Sequence, residues 1–143
     1  MTEHHLAEQA RARRFGWTGL LVWAALGLAL EGAHGFKLDA YLGDELARML
    51  LRLGHAHGVG LALVVLLYSA TGVPLLRLSS DRPPPAGSLL RAGAVLIPSG
   101  FALSAFGHPE GDPSVAIFAV PLGALALLAG LAIIARAAWT NPR

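Results

Sequence analysis

Between Arg52 and Arg77 the chain runs for 24 residues without a formal charge. About 20 apolar residues carry an α-helix across ~30 Å of hydrocarbon, and a soluble fold would have to bury every side of such a rod. Three more stretches share this character: Phe15–Leu30, Ala92–Phe106 and Ser114–Ala135. Hydrophobic residues make up 55% of the chain and charged ones 14%, against ~45–50% and ~25% in soluble domains. The pattern predicts an all-α integral membrane protein, an up-down-up-down four-helix bundle. It forms one transmembrane domain over residues 1–143, with spans at about 15–35, 54–76, 88–107 and 114–136.

The connections refine this picture. Residues 1–14 are polar and end in Arg11, Arg13 and Arg14. The apolar run that follows is long for a signal sequence, and three further spans succeed it, so it reads as a retained first span. Residues 36–54 carry structure of their own. Asp44 is a good N-cap, and Leu46, Met49, Leu50 and Leu53 share one face, with Glu45, Arg48 and Arg52 on the other. This predicts an amphipathic helix over about 44–53 between spans 1 and 2, either lying on the bilayer or extending span 2, with Gly54 as the joint. Thr71-Gly72-Val73-Pro74 marks the predicted end of span 2. Residues 77–87 form a proline-rich hairpin and 108–113 a tight turn, and Pro98 and Pro121 predict kinks inside spans 3 and 4. Small residues four apart (Gly54/Gly58, Ala56/Gly60, Ala119/Gly123, Ala126/Gly130) predict close helix approach, with Gly58 and Gly60 against neighbours.

The basic residues orient the bundle. With the N-terminus inside, Arg11, Arg13, Arg14, Arg77, Arg82, Arg91, Arg136 and Arg143 are inner, and only Lys37, Arg48 and Arg52 outer. This obeys the positive-inside rule. Phe15, Trp17, Tyr68 and Trp139 fall at the inner boundary, and Phe36, Tyr41 and Phe106 at the outer one. The expected state is N-in and C-in, multi-pass in a bacterial-type cytoplasmic (inner) membrane, both termini cytoplasmic.

Several function classes are disfavoured. The chain has no cysteine, which excludes disulfides, thiolate metal sites and covalently attached haem. From Trp17 to Leu30, Val59 to Leu76, Ala92 to Phe106 and Ser114 to Ala135 no side chain is ionisable except Tyr68, unlike the spans of pumps and coupled carriers. No basic cluster with interleaved aromatics suggests nucleic acid. No nucleophile–base arrangement suggests an enzyme.

What remains is a rim of imidazoles and carboxylates. His34 ends span 1, His55 and His57 open span 2, and His108 ends span 3, all at the predicted outer level. A divalent metal, or a haem b iron seeking two imidazoles, needs such donors. The candidate metal set is His34, His55, His57, His108 and Glu31, and the candidate haem ligands are His34, His55 and His57. Glu31 and His34 stand at i, i+3 on one helix face, where the carboxylate orients the ring. His55 and His57 are roughly 200° apart on a regular helix, so they share an ion only if the first turn frays. A plainly structural role, bonding backbone carbonyls or water, asks less of the same residues.

The GAHG that closes span 1 and the HAHG that opens span 2 resemble small four-helix bacterial membrane proteins. Locally, the His-x-His at a helix start resembles haem-copper oxidase subunit I-like proteins, which implies a haem- or metal-proximal role for His55 or His57. The expected function is a non-catalytic accessory or structural subunit of a membrane complex, in contact with the lipid bilayer and other membrane subunits. The alternative is a metal- or haem-binding electron-transfer protein.

Overall fold

The computed structural model describes residues 3–78, 85–109 and 111–141. Among them there is no strand. The order is α1 (Glu3–Gly35), a single turn α2 (Asp39–Leu42), α3 (Glu45–Leu67), a π turn (Tyr68–Gly72), α4 (Val73–Arg77), α5 (Ala86–Ser104), a 3-10 turn (Val115–Phe118) and α6 (Ala119–Thr140). Four helical rods are long and apolar enough to cross a membrane: Glu3–Gly35, Glu45–Arg77, Ala86–Ser104 and Val115–Thr140. The hairpin residues 79–84, with Arg82, lie outside the described residues, as do Glu110 and Arg143.

Helix α1 begins at Glu3 rather than near Phe15, and its 33 residues span about 50 Å. The reason lies in the face it buries. His5, Glu8, Ala12 and Gly16 recur every three or four residues and are all buried. Half of that stripe is polar, so apolar periodicity alone passes over it. At the other end Lys37 adopts φ 54°. The amides of Lys37 and Leu38 return to the carbonyls of His34 and Ala33 at 3.1 and 3.0 Å, closing the helix in a Schellman motif with lysine in the place usually held by glycine.

The amphipathic segment is not a separate helix. Asp44 caps α3 as expected, accepting the Ala47 amide at 2.8 Å, but the helix then continues unbroken through Gly54. A mid-helix glycine costs about 1 kcal/mol. Here a Cβ would sit 3.0 Å from the Pro98 carbonyl oxygen, so the glycine lets α3 and α5 touch at the backbone. Leu50 is buried, at 2% exposure, whereas Met49 is 51% exposed. The apolar face is narrower than the sequence indicates.

Nor does the second rod end at Thr71–Pro74. The Val73 amide reaches back to the Tyr68 carbonyl, a wider π turn. The next bond of that series would run from residue 74 to Ser69, but proline has no N–H. The Gln9 amide of α1 donates to the Ser69 carbonyl instead, at 3.0 Å. Helix α5 runs through Pro98, which is buried, and stops at Ser104. Pro121 lies in the first turn of α6, where its missing N–H leaves no gap, so it is a start signal rather than a mid-span kink.

Helix α1 packs on α3, α3 on α5, and α5 on α6. Contacts ascend one helix as they descend the next. Gly16 meets Leu66 and Gly27 meets His55; Gly54 meets Pro98 and Gly87 meets Tyr68; Gly100 meets Val120 and Gly130 meets Leu90. The rods form a row rather than a closed ring. The apolar windows of the second and third rods are 39% and 44% buried, and those of the first and last only 6% and 11%. The buried cluster gathers at the end holding both chain termini, around Ala12, Val65, Leu76, Leu90 and Ala137.

The small-residue ridges divide accordingly. Gly123 and Gly130 lie against α5, and the Trp23 indole lies where a Gly58 side chain would be, but nothing approaches Gly60 within 4 Å. Gly58→Leu should therefore lower the thermal stability of the detergent-solubilised protein by about 1–3 kcal/mol through overpacking. Gly60→Leu should leave it unchanged or raise it by a few tenths, as leucine is the better helix former. Equal losses in both variants would show that the helices do not pack in this register.

Candidate functional site

Each of the four rim histidines has its own surroundings. His34 lies exposed in the last turn of α1, one turn beyond the exposed Glu31. His55 faces α1. Its Nδ1 lies 2.7 Å from the Trp23 carbonyl oxygen, and its ring covers Gly27, where a Cβ would strike it. A carbonyl only accepts, so Nδ1 carries a proton, and in the neutral ring Nε2 keeps its lone pair. His57 faces the other way. Its Nδ1 bonds the Leu53 carbonyl one turn back at 2.8 Å, and its ring packs on Phe101 with centroids 5.0 Å apart. The first turn of the apolar segment stays helical, so the two imidazoles point to opposite sides of α3 and do not embrace one ion or one haem.

Among the described residues no three histidine, aspartate or glutamate side chains converge as a metal site. Glu31 and His55 do line one cleft of about 340 Å³ between α1 and α3, together with Arg52. Glu110 lies outside the described residues.

His108 joins two elements. Its Nε2 lies 2.9 Å from Asp44 Oδ2 and its Nδ1 3.0 Å from the Pro109 carbonyl oxygen. With an acceptor at each nitrogen, the doubly protonated ring makes both bonds and the neutral ring only one. The Pro109 carbonyl, and then Asp44, raise the His108 pKa above 6.5. The Ala47 amide, and then His108, hold the Asp44 carboxyl below 3.8. The carboxylate thus caps α3 with one oxygen and ties down the turn after α5 with the other.

A second polar group, not foreseen from the sequence, sits at the opposite end. Arg91 of α5 donates to both oxygens of Glu8 on α1, Nη1 to Oε1 at 2.5 Å and Nη2 to Oε2 at 3.3 Å. Their side chains are only 16% and 10% exposed. The Tyr68 phenol, 3% exposed, packs over Gly87. A Cβ at Gly87 would fall on the Glu8 carboxylate and 2.8 Å from the Tyr68 hydroxyl, so only glycine fits. His5 is wholly buried nearby on the same face of α1. The available signal was the spacing of His5, Glu8 and Ala12 opposite a lone Arg91 near the start of an apolar helix.

No protein-family model matches this chain, and no curated protein or solved structure gives a match. The likeness to oxidase subunits therefore rests on the His-x-His of His55 and His57 alone.

The His108–Asp44 tie predicts a pH dependence. A group whose pKa is raised on folding stabilises fully below its unfolded value and loses that contribution as pH rises through the folded one. For Asp44, lowered on folding, the contribution is present above 3.8 and lost as pH falls through the lower folded value. The tie is therefore strongest between about pH 4 and 6.5. The melting temperature of the parent protein should fall as pH rises past 6.5, and Asp44→Asn should flatten that alkaline decline. An identical decline in the variant would remove this role for the pair.

Proposed function

We propose that the chain is a multi-pass protein of a bacterial-type cytoplasmic membrane. Its four rods run up-down-up-down, with both termini cytoplasmic. It catalyses nothing itself and serves as an accessory or structural subunit of a membrane complex. The observation that carries this reading is the division of labour among its surfaces. Part-buried polar contacts hold helix to helix: Glu8 with Arg91, Gln9 with the Ser69 carbonyl, His55 with the Trp23 carbonyl. The outer rods, in contrast, leave Leu21, Leu28, Leu122, Leu125 and Leu128 more than half exposed. Such flanks suit lipid or the helices of a neighbouring subunit. The arginine distribution supports the orientation.

One observation favours the second reading, a metal- or haem-binding protein. In both His55 and His57 the Nδ1–H is held by a backbone carbonyl, the arrangement that readies Nε2 as a ligand. Each would supply a single ligand on its own side of α3.

Reporter fusions after Arg143 and beside Asp112 should report opposite sides of the membrane; the same side for both contradicts the four-span topology. The purified protein should show no Soret band and no stoichiometric metal. A Soret band abolished by His55→Ala or His57→Ala would establish the second reading in place of the first.

A further inference from the structure

Helices α1 and α5 both lie against α3, and between them they leave a cleft along one face of the row. Over the apolar part it is a slot of about 400 Å³. Gly58 and Ala62 of α3 form its floor, Phe15, Val22 and Trp23 one wall, and Val95 the other. From Arg14 to Trp23 its length is about 13 Å at 1.5 Å per residue. The Trp23 indole covers Gly58 of the floor, and Gly19 lets α1 approach Ala62: a Cβ there would come within 3.2 Å of it.

The same two helices line a second cavity one turn nearer the termini, of about 250 Å³. Its lining is different in kind: His4, Glu8, Arg11, Ser88 and Arg91. The Glu8 charge is already matched by Arg91, and Arg11 lies 3.9 Å from Glu8 with its side chain 66% exposed. Arg14, one turn further along the same face of α1, is exposed at the mouth of the apolar slot. Arg11 and Arg14, at i, i+3, therefore stand at the junction of a polar cavity and an apolar slot.

We propose that this cleft binds one anionic phospholipid, its phosphate between Arg11 and Arg14 and one acyl chain along the slot between Trp23 and Val95. The inference rests on the membrane reading above, because it places Arg11 and Arg14 at headgroup level and Phe15 to Trp23 within the hydrocarbon. Arg11, which shares Glu8 with the closer Arg91, and the exposed Arg14 complement the phosphate. The apolar slot, walled by Phe15, Val22, Trp23 and Val95, takes an acyl chain. A quinone or a free phosphate meets only half of these features.

Native mass spectrometry of the detergent-solubilised chain tests the proposal, with dioleoyl phosphatidylglycerol and dioleoyl phosphatidylcholine as probes. The parent should retain one phosphatidylglycerol in preference to phosphatidylcholine. The double substitution Arg11→Gln and Arg14→Gln should weaken that binding roughly thirtyfold, at about 1 kcal/mol per arginine. Val95→Trp, at a position 47% exposed that the fold does not bury, should block it by filling the slot. Equal retention of the two lipids, undiminished binding by Val95→Trp, or full competition by glycerol 3-phosphate would each overturn the proposal. Recovery of the chain in alkali-washed membranes is scored separately. If it is lost there, the membrane reading fails; if it is retained without lipid preference, only this inference does.

Discussion

The ion pair between Glu8 and Arg91 fixes the position of the first helix. Two charges that are 10% and 16% exposed need each other, because removing either leaves the partner buried and uncompensated. The pair joins α1 to the start of α5 across the helix that separates them. It also sets what its neighbours are: Gly87 has room for no side chain, and Tyr68 lies over it. One residue further along α1, Gln9 supplies the donor that Pro74 cannot. The polar turns before the first apolar stretch thus hold α1 on the core, while its apolar part, only 6% buried, meets α3 along one stripe.

Once α1 is placed, the rest of the row follows by backbone approach. Gly58 receives the Trp23 indole and Gly27 the His55 ring. Gly54 against Pro98 brings α5 close to α3, and Gly93, Gly100, Gly123 and Gly130 bring α6 close to α5. Where apolar surface faces apolar solvent on both sides, such van der Waals contact and the few internal hydrogen bonds are what distinguish a neighbour from lipid. At the other end the His108–Asp44 contact ties the turn after α5 to the cap of α3.

Much of this was legible in the sequence, for reasons that differ by element. Uncharged length announces a rod that can cross hydrocarbon, whatever its packing, and the four rods are where those stretches fall. Asp44 reads as an N-cap because its chemistry is local. Punctuation was less legible: Gly54 and Pro74 read as boundaries, yet close packing at one and a π turn at the other carry the helix through. The rim histidines share a level, but a level is not a direction. The roughly 200° between His55 and His57 sends them to different neighbours. The Glu8–Arg91 pair was hidden because its partners are 83 residues apart and only one of them lies in a segment the sequence marks as polar.

A double-mutant cycle measures how strongly this buried pair holds the first helix on the core. Glu8→Gln, Arg91→Met and the double variant are unfolded in detergent, with the coupling taken from the departure from additivity. Each single substitution should destabilise by about 3 kcal/mol, because it strands a buried charge, and the double variant by clearly less than the sum. Additive losses, or single losses within about 0.5 kcal/mol of zero as for an ordinary surface pair, would show that α1 is held by something else.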